Sequence, residues 1–216
     1  MHRIHPRRRG NGAVVVIERP SRPTDAASWQ DPTCIATAVP DASLPQTFSG
    51  GKLTPLRFES TALERDAWRE LEQQRLPFQE SPFEPAPGMS TAAGVVVEEA
   101  DGRVWVVHPT NAFQGYRATF PKGTCEAGRT LQATAIVECF EESGLLVQLK
   151  GFLGDFDRSA SRTRYYVATR IDGSPADMGW ESQAVSLVPR QALPSLLTHP
   201  NDRPVLAALG LEVDDR

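Results

Sequence analysis

The stretch GTCEAGRTLQATAIVECFEESGL, from Gly123 to Leu145, holds Glu138, Glu141 and Glu142 within five positions. No Lys or Arg occurs from 130 to 149 to balance them. The spacing i, i+3, i+4 puts all three carboxylates on one face of a helix. Ala133, Ile136 and Phe140 fall on the opposite face, which can bury against a sheet. One reading is a solvated acidic face. Such a face usually carries Lys or Arg at i±3 or i±4, and here those positions include Thr134, Ala135, Leu145 and Leu146. Like charges at i, i+4 also cost about a few tenths of a kcal/mol each. A divalent cation removes that cost. Converging carboxylate oxygens suit a hard ion, Mg²⁺ or Mn²⁺, and with no His or Cys cluster nearby zinc is disfavoured.

Magnesium keeps much of its water and commonly binds through few carboxylates plus substrate phosphates. The expected chemistry is metal-assisted attack of water on a phosphate, with a further Glu as general base. The segment before the helix fits that chemistry. Gly123 and Gly128 permit tight turns and close backbone approach. Lys122 is a point charge for a phosphate, or else a surface lysine at a strand end.

These residues resemble the Nudix box, G-x5-E-x7-R-E-U-x-E-E-x-G-U with U aliphatic. Gly123, Glu138, Glu141, Glu142, Gly144 and Leu145 fall in register, and Glu126 and Gly128 match its common GxxExG opening. The resemblance covers roughly residues 91 to 210. Two positions depart from the box: its first Glu is Arg129 here and its Arg is Val137, while Cys139 stands at the aliphatic position. In the family that Arg helps orient the first Glu of the run, here Glu138.

The resemblance implies an α/β/α sandwich with a mixed sheet. It implies hydrolysis of a phosphoanhydride bond with Mg²⁺ or Mn²⁺. By the same resemblance, Glu138 and Glu142 are the core metal ligands, Glu141 assists, and the Gly123 carbonyl contributes. Glu181, in GWESQAV, sits where some members place an extra catalytic or metal-binding Glu. FPKG, with Arg117 and Lys122 around it, looks like the dinucleoside polyphosphate and diphosphoinositol polyphosphate branches. HPNDRPVLAAL is similar to the last helix there. Arg158 and Arg164, in DFDRSASRTRYY, are candidate phosphate ligands alongside Arg117 and Lys122, or are merely solvated. Tyr165, Tyr166 and Trp180 are either base-stacking or core residues. An ADP-ribose or nucleotide-sugar pyrophosphatase is the rival enzyme. A nucleotide-binding regulatory module with impaired catalysis is the reading that Arg129 and Val137 favour.

The chain around the box must position it. AAGVVVEE and RVWVVHP are β-branched runs about ADG, a hairpin signal. LLVQLKGFLGDF and TRYYVATRI read as two further strands, and LPSLL and RPVLAALGL as short helices. Together they predict an α/β domain over 89–216 with helices packed on a mixed sheet, holding every element the chemistry needs. Residues 31–88 read as a small N-terminal extension: CIATAV and KLTPLRF as strands, TALERDAWRELEQQR as a helix with a Thr61/Glu64 capping box, then a Pro-rich linker. Residues 1–30 read as a solvated flexible tail, with AVVVIE as an edge strand and Arg7, Arg8 and Arg9 as a weak anion-binding arm the alternatives.

The 216 residues carry a net charge of −4, which argues against a duplex nucleic acid partner. The expected ligand is a small phosphoanhydride molecule. Cys34, Cys125 and Cys139 form no CxxC and cannot all pair, as in a reducing compartment. No apolar run approaches 18 residues, so no membrane span and a cytoplasmic location are expected. N-terminal units in related enzymes aid dimerisation, which keeps a homodimer as the candidate assembly.

Overall fold

In a computed structural model, residues 3–55, 78–110 and 115–212 are described. The helix expected over 61–75, and residues 56–58 at the end of KLTPLRF, lie outside them.

The sheet is built where the sequence is richest in β-branched residues. Strands β6 (Ser90–Glu98) and β7 (Arg103–Pro109) form the expected hairpin, with Gly102 N–H donating to the Glu99 carbonyl at 3.0 Å. Ahead of them in the chain come β1 (Arg3–Ile4), β2 (Val16–Ile17), α1 (Ala26–Gln30), β3 (Ala36–Ala38), β4 (Thr47–Phe48) and β5 (Gly51–Lys52). After them come β8 (Lys122–Thr124), α2 (Leu131–Ser143), β9 (Leu145–Asp157), β10 (Ser161–Gly173), β11 (Ser182–Pro189), α3 (Leu193–Leu196) and α4 (Arg203–Ala208). Seven strands make one mixed sheet in the order β3-β11-β7-β6-β10-β9, with β8 on β6. Only β10 and β6 run parallel in it.

Both faces of this sheet are covered, which explains why its central strands are continuously apolar. On one face Val95, Val97, Trp105, Val107 and Leu187 pack with Ile136 and Cys139 of α2. On the other, Val96, Val104, Val106 and Tyr165 pack with Leu193, Leu197, Val205 and Leu206 of the C-terminal helices. The arrangement is the expected α/β/α sandwich.

The N-terminal segment differs from the tail expected over 1–30. Residues 3–4 and 16–17 pair as a ribbon, and Val15 and Ile17 are buried. Trp29 of α1 is 1% exposed and sits in the core 6.1 Å from Trp105, centroid to centroid. Strand β3 pairs antiparallel with β11, Thr37 opposite Ser186, and so extends the main sheet. These residues carry apolar side chains that only the sandwich can bury, so the 89–216 segment alone does not contain the whole core.

One side chain ties the two parts together. Arg103, at the start of β7, is fully buried. Its Nη1 donates to the carbonyls of Ser28, Asp31 and Cys34 at 2.9, 3.2 and 3.2 Å. Its Nη2 donates to the Trp29 carbonyl at 2.8 Å and to Ser49 Oγ at 2.9 Å, and Nε to Asp101 at 3.0 Å.

Candidate active site

The helix that bears the carboxylates is fixed at both ends by local chemistry. Thr130 caps its N-terminus, the hydroxyl accepting from Ala133 N–H at 3.1 Å. Gly144 closes it in the left-handed region at φ 73°, where a side chain is strained. A Cβ there would also lie 2.4 Å from the Ser174 carbonyl. Inside those caps the helix is enclosed on nearly all sides. Ala133 and Ile136 are buried as their spacing predicts, and so are Thr134, Val137 and Cys139. Phe140, expected on the buried face, is half-exposed. Because α2 packs against β6, β8 and β9, its acidic face looks into a cleft.

That cleft holds about 770 Å³ and is lined by Glu138, Glu141 and Glu142 from α2, Lys122, Gly123 and Thr124 from β8, and Glu126 beyond it. Trp180 and Glu181 close one side, and Tyr116, Arg158 and Asn201 another. Five carboxylates therefore share the space with three cations, Arg9, Lys122 and Arg158.

The carboxylates differ in setting. Glu142 is 9% exposed, and its Oε2 accepts from the Lys122 backbone N–H at 2.8 Å. Burial pushes its pKa up to about 7, opposed by the Lys122 charge and that hydrogen bond and helped by Glu181 and Glu141. Glu138 lies against the backbone of Gly123: a Cβ at 123 would fall 2.0 Å from its Cδ. Burial, then the charges of Glu142, Glu141 and Glu181, push Glu138 up to about 8, with Arg129 opposing. Glu141 and Glu181 are exposed at the mouth. Val137, where the box carries Arg, is 2% exposed. Arg129 pairs with Glu126 at 3.2 Å.

The donor set fits a hard divalent ion. Every acidic liner is an oxygen ligand, among the described residues no His or Cys lines the cleft, and the Gly123–Glu138 approach leaves room for no side chain. Among the described residues no three His, Cys, Asp or Glu converge tightly enough to hold a metal alone.

The expected phosphate ligands separate. Lys122 is half-buried in the cleft wall with Nζ 5.4 Å from the Tyr116 ring centroid. Arg158 reaches the cleft but is largely engaged: Nη1 donates to Tyr165 Oη and the Asn201 carbonyl at 3.1 and 3.2 Å, Nη2 to Tyr116 Oη and Asp202 at 2.9 and 2.8 Å. Arg164 is not in the cleft. On β10 it pairs across the strands with Asp155 at 2.7 Å and with Glu80 at 2.9 Å. Arg117 is exposed and does not line the cleft either. Tyr165 and Tyr166 are core residues at 0% exposure, so of the three rings expected Trp180 alone lines the cleft. Spacing gave no sign of Tyr116, Asn201 or Asp202. Asn201 and Asp202 come there by the 3₁₀ turn at Pro200–Asp202 folding back on Arg158, and Tyr116 is in the segment before β8.

A mixed-sheet sandwich with an acidic helix facing such a cleft is the frame of a phosphoanhydride hydrolase. Residues 89–209, more than half of the chain, match the NUDIX domain family. The chain belongs to that family and is a hydrolase of its class, acting on phosphoanhydride bonds. Among proteins of curated function, none matches the sequence. Solved structures similar to it include a MutT protein from the pair Aliivibrio salmonicida and Vibrio cholerae, 20% identical over 57% of this chain and 98% of that one, with a TM-score of 0.47. A C. elegans Ap4A hydrolase is 15% identical over 56% and 96%, TM-score 0.46. An ADP-ribose pyrophosphatase from Streptococcus suis is 16% identical over 57% and 96%, TM-score 0.45.

Proposed function

We propose that the protein is a Mg²⁺- or Mn²⁺-dependent pyrophosphohydrolase of a polyphosphate metabolite, with a dinucleoside polyphosphate or diphosphoinositol-type substrate favoured. The observation that carries this is the convergence of Glu138, Glu141, Glu142 and Glu181 on one cleft that also holds Lys122.

In this reading Glu138, Glu142 and the Gly123 carbonyl hold the ion, and Glu141 supports it. Bound there, the ion would offset phosphate charge and acidify a water. The chain's own residues do the rest. Lys122 meets a phosphate oxygen as a point charge, while its backbone N–H keeps Glu142 turned into the cleft. Glu181, exposed at the mouth, takes the proton of the attacking water. Trp180 offers a face to a base. Three free cysteines support a reducing, cytoplasmic setting, and no described helix is long and apolar enough to cross a membrane.

The test is a panel of dinucleoside polyphosphates, diphosphoinositol polyphosphates, ADP-ribose and nucleotide sugars, with and without Mg²⁺, products resolved by mass spectrometry. Cleavage of a phosphoanhydride bond only with the ion supports the reading, and the bond cut separates the two enzyme classes. Tight nucleotide binding without hydrolysis would favour the regulatory module instead. A particle mass of one chain for the full-length protein, read by light scattering, would remove the homodimer.

A further inference from the structure

The cleft has one wall that the family's domain does not supply. Arg9 lines it from outside residues 89–209. It sits at the head of the N-terminal ribbon in a tight turn, its N–H donating to the Ala13 carbonyl at 3.0 Å and its carbonyl accepting from Gly12 N–H at 2.8 Å. The ribbon is anchored beside the catalytic loop. Gln183, two residues after Glu181, accepts from Glu18 N–H at 2.7 Å and Arg19 N–H at 3.2 Å. Arg3 donates to the Pro40 carbonyl at 2.6 Å, and Val15 and Ile17 are buried below. The arm is therefore seated on the domain.

The Arg9 guanidinium lies over the Trp180 ring, its Cζ 5.7 Å from the centroid. That contact limits the rotamers of a long side chain and holds the planar fork in place. Its Nε is shielded from solvent and has no hydrogen-bond partner. The guanidinium nonetheless lines the open cleft, where its planar fork can meet an anionic oxygen of a ligand. Arg158, the other guanidinium at the cleft, has both terminal nitrogens already committed to the protein.

The geometry points to Arg9 as a specificity-determining residue that binds a phosphate of the substrate's chain beyond the pair held at the carboxylates. The arm would then measure phosphate-chain length, favouring substrates with three or more phosphates over diphosphates. This inference rests on the phosphoanhydride reading of the same cleft.

The test uses the full chain and the variants Arg9→Ala and Arg9→Lys. Steady-state kinetics with ADP-ribose, a nucleoside triphosphate and a dinucleoside tetraphosphate are compared, and binding of inorganic tripolyphosphate with Mg²⁺ is measured by calorimetry. Arg9→Ala is expected to raise KM for the tetraphosphate by about tenfold, as for losing one hydrogen bond to a charged group. The rise should be smaller for the diphosphate, and kcat should change least. Tripolyphosphate affinity should fall by a similar factor, and Arg9→Lys should recover part of both. An equal loss on all three substrates assigns Arg9 a structural role and overturns the proposal, as does tripolyphosphate affinity unchanged in Arg9→Ala. If the wild type hydrolyses nothing but its tripolyphosphate binding depends on Arg9, the catalytic reading falls and the phosphate site stands.

Discussion

Replacing Glu142 with Gln should separate stability from catalysis in opposite directions. The carboxylate is buried, and its pKa rises from 4.5 to about 7 because burial disfavours its charge. A group whose folded pKa is raised stabilises the fold fully below its unfolded pKa and loses that contribution as pH rises through the folded value. At pH 8 without metal, holding the charge in place therefore costs about 3 kcal/mol, each tenfold in proton affinity being worth about 1.36 kcal/mol. Glutamine keeps an acceptor for the Lys122 N–H and carries no charge. In EDTA at pH 8 the variant should melt roughly 5 °C or more above the wild type, since about 1 kcal/mol moves a domain of this size by about 2–4 °C. At pH 5 the two should nearly coincide. With Mg²⁺ present, turnover of the best panel substrate should drop by about a hundredfold or more. The assays are melting curves in EDTA across pH 5 to 8 and single-substrate kinetics. A variant that melts lower at pH 8, or that hydrolyses as fast as the wild type, refutes the reasoning.

Millimolar Mg²⁺ or Mn²⁺ should raise the melting temperature and EDTA reverse it. The shift should grow from pH 6 to pH 8, because Glu138 and Glu142, with pKa values near 8 and 7, must release protons to accept the ion; a shift that shrinks over that range counts against them as ligands. Gly123→Ala would put a Cβ 2.0 Å from Glu138 Cδ, so kcat should fall by about tenfold or more while the far-ultraviolet dichroism is unchanged; an active variant would remove the Gly123–Glu138 contact from the mechanism. Arg103→Met strips six protein acceptors of their donor at a fully buried site and should cost about 3–5 kcal/mol in chemical denaturation; a loss below about 1 kcal/mol would show that the clamp is dispensable.

The box helix was legible because everything that defines it is local. Thr130, Gly144 and the i, i+3, i+4 carboxylates lie within one short stretch, and helix geometry converts spacing to direction. The strands about ADG and the two short C-terminal helices follow from similarly local patterns. What spacing could not show is which partner a side chain meets across the sheet. Arg158 and Arg164 look alike in sequence, yet Arg164 stands opposite Asp155 in the β9–β10 register and is neutralised there. Phe140 lies opposite Glu138 on a helical wheel, but α2 is wrapped by β8 on a side that a two-faced wheel does not represent. The tail reading of the first residues failed for the same reason: Val15, Ile17 and Trp29 have no local partners, and their burial depends on contacts made by residues far down the chain.

Strand β3 meets its partner late in synthesis. The Thr37–Ser186 hydroxyl contact spans 149 residues. At about 5–20 residues per second, roughly seven to thirty seconds separate the appearance of β3 from that of β11 at the ribosome. Until β6 and β7 emerge, Trp29 and the Arg103 acceptors have nothing to dock on, and the Arg9 arm waits longer still, for Gln183. The β6–β7 hairpin is the first sizeable piece of the sheet to emerge, and Arg103 at its turn offers the N-terminal carbonyls their earliest anchor. The segment made first is thus completed last, and the cleft gains its Arg9 wall only once Gln183 has left the exit tunnel.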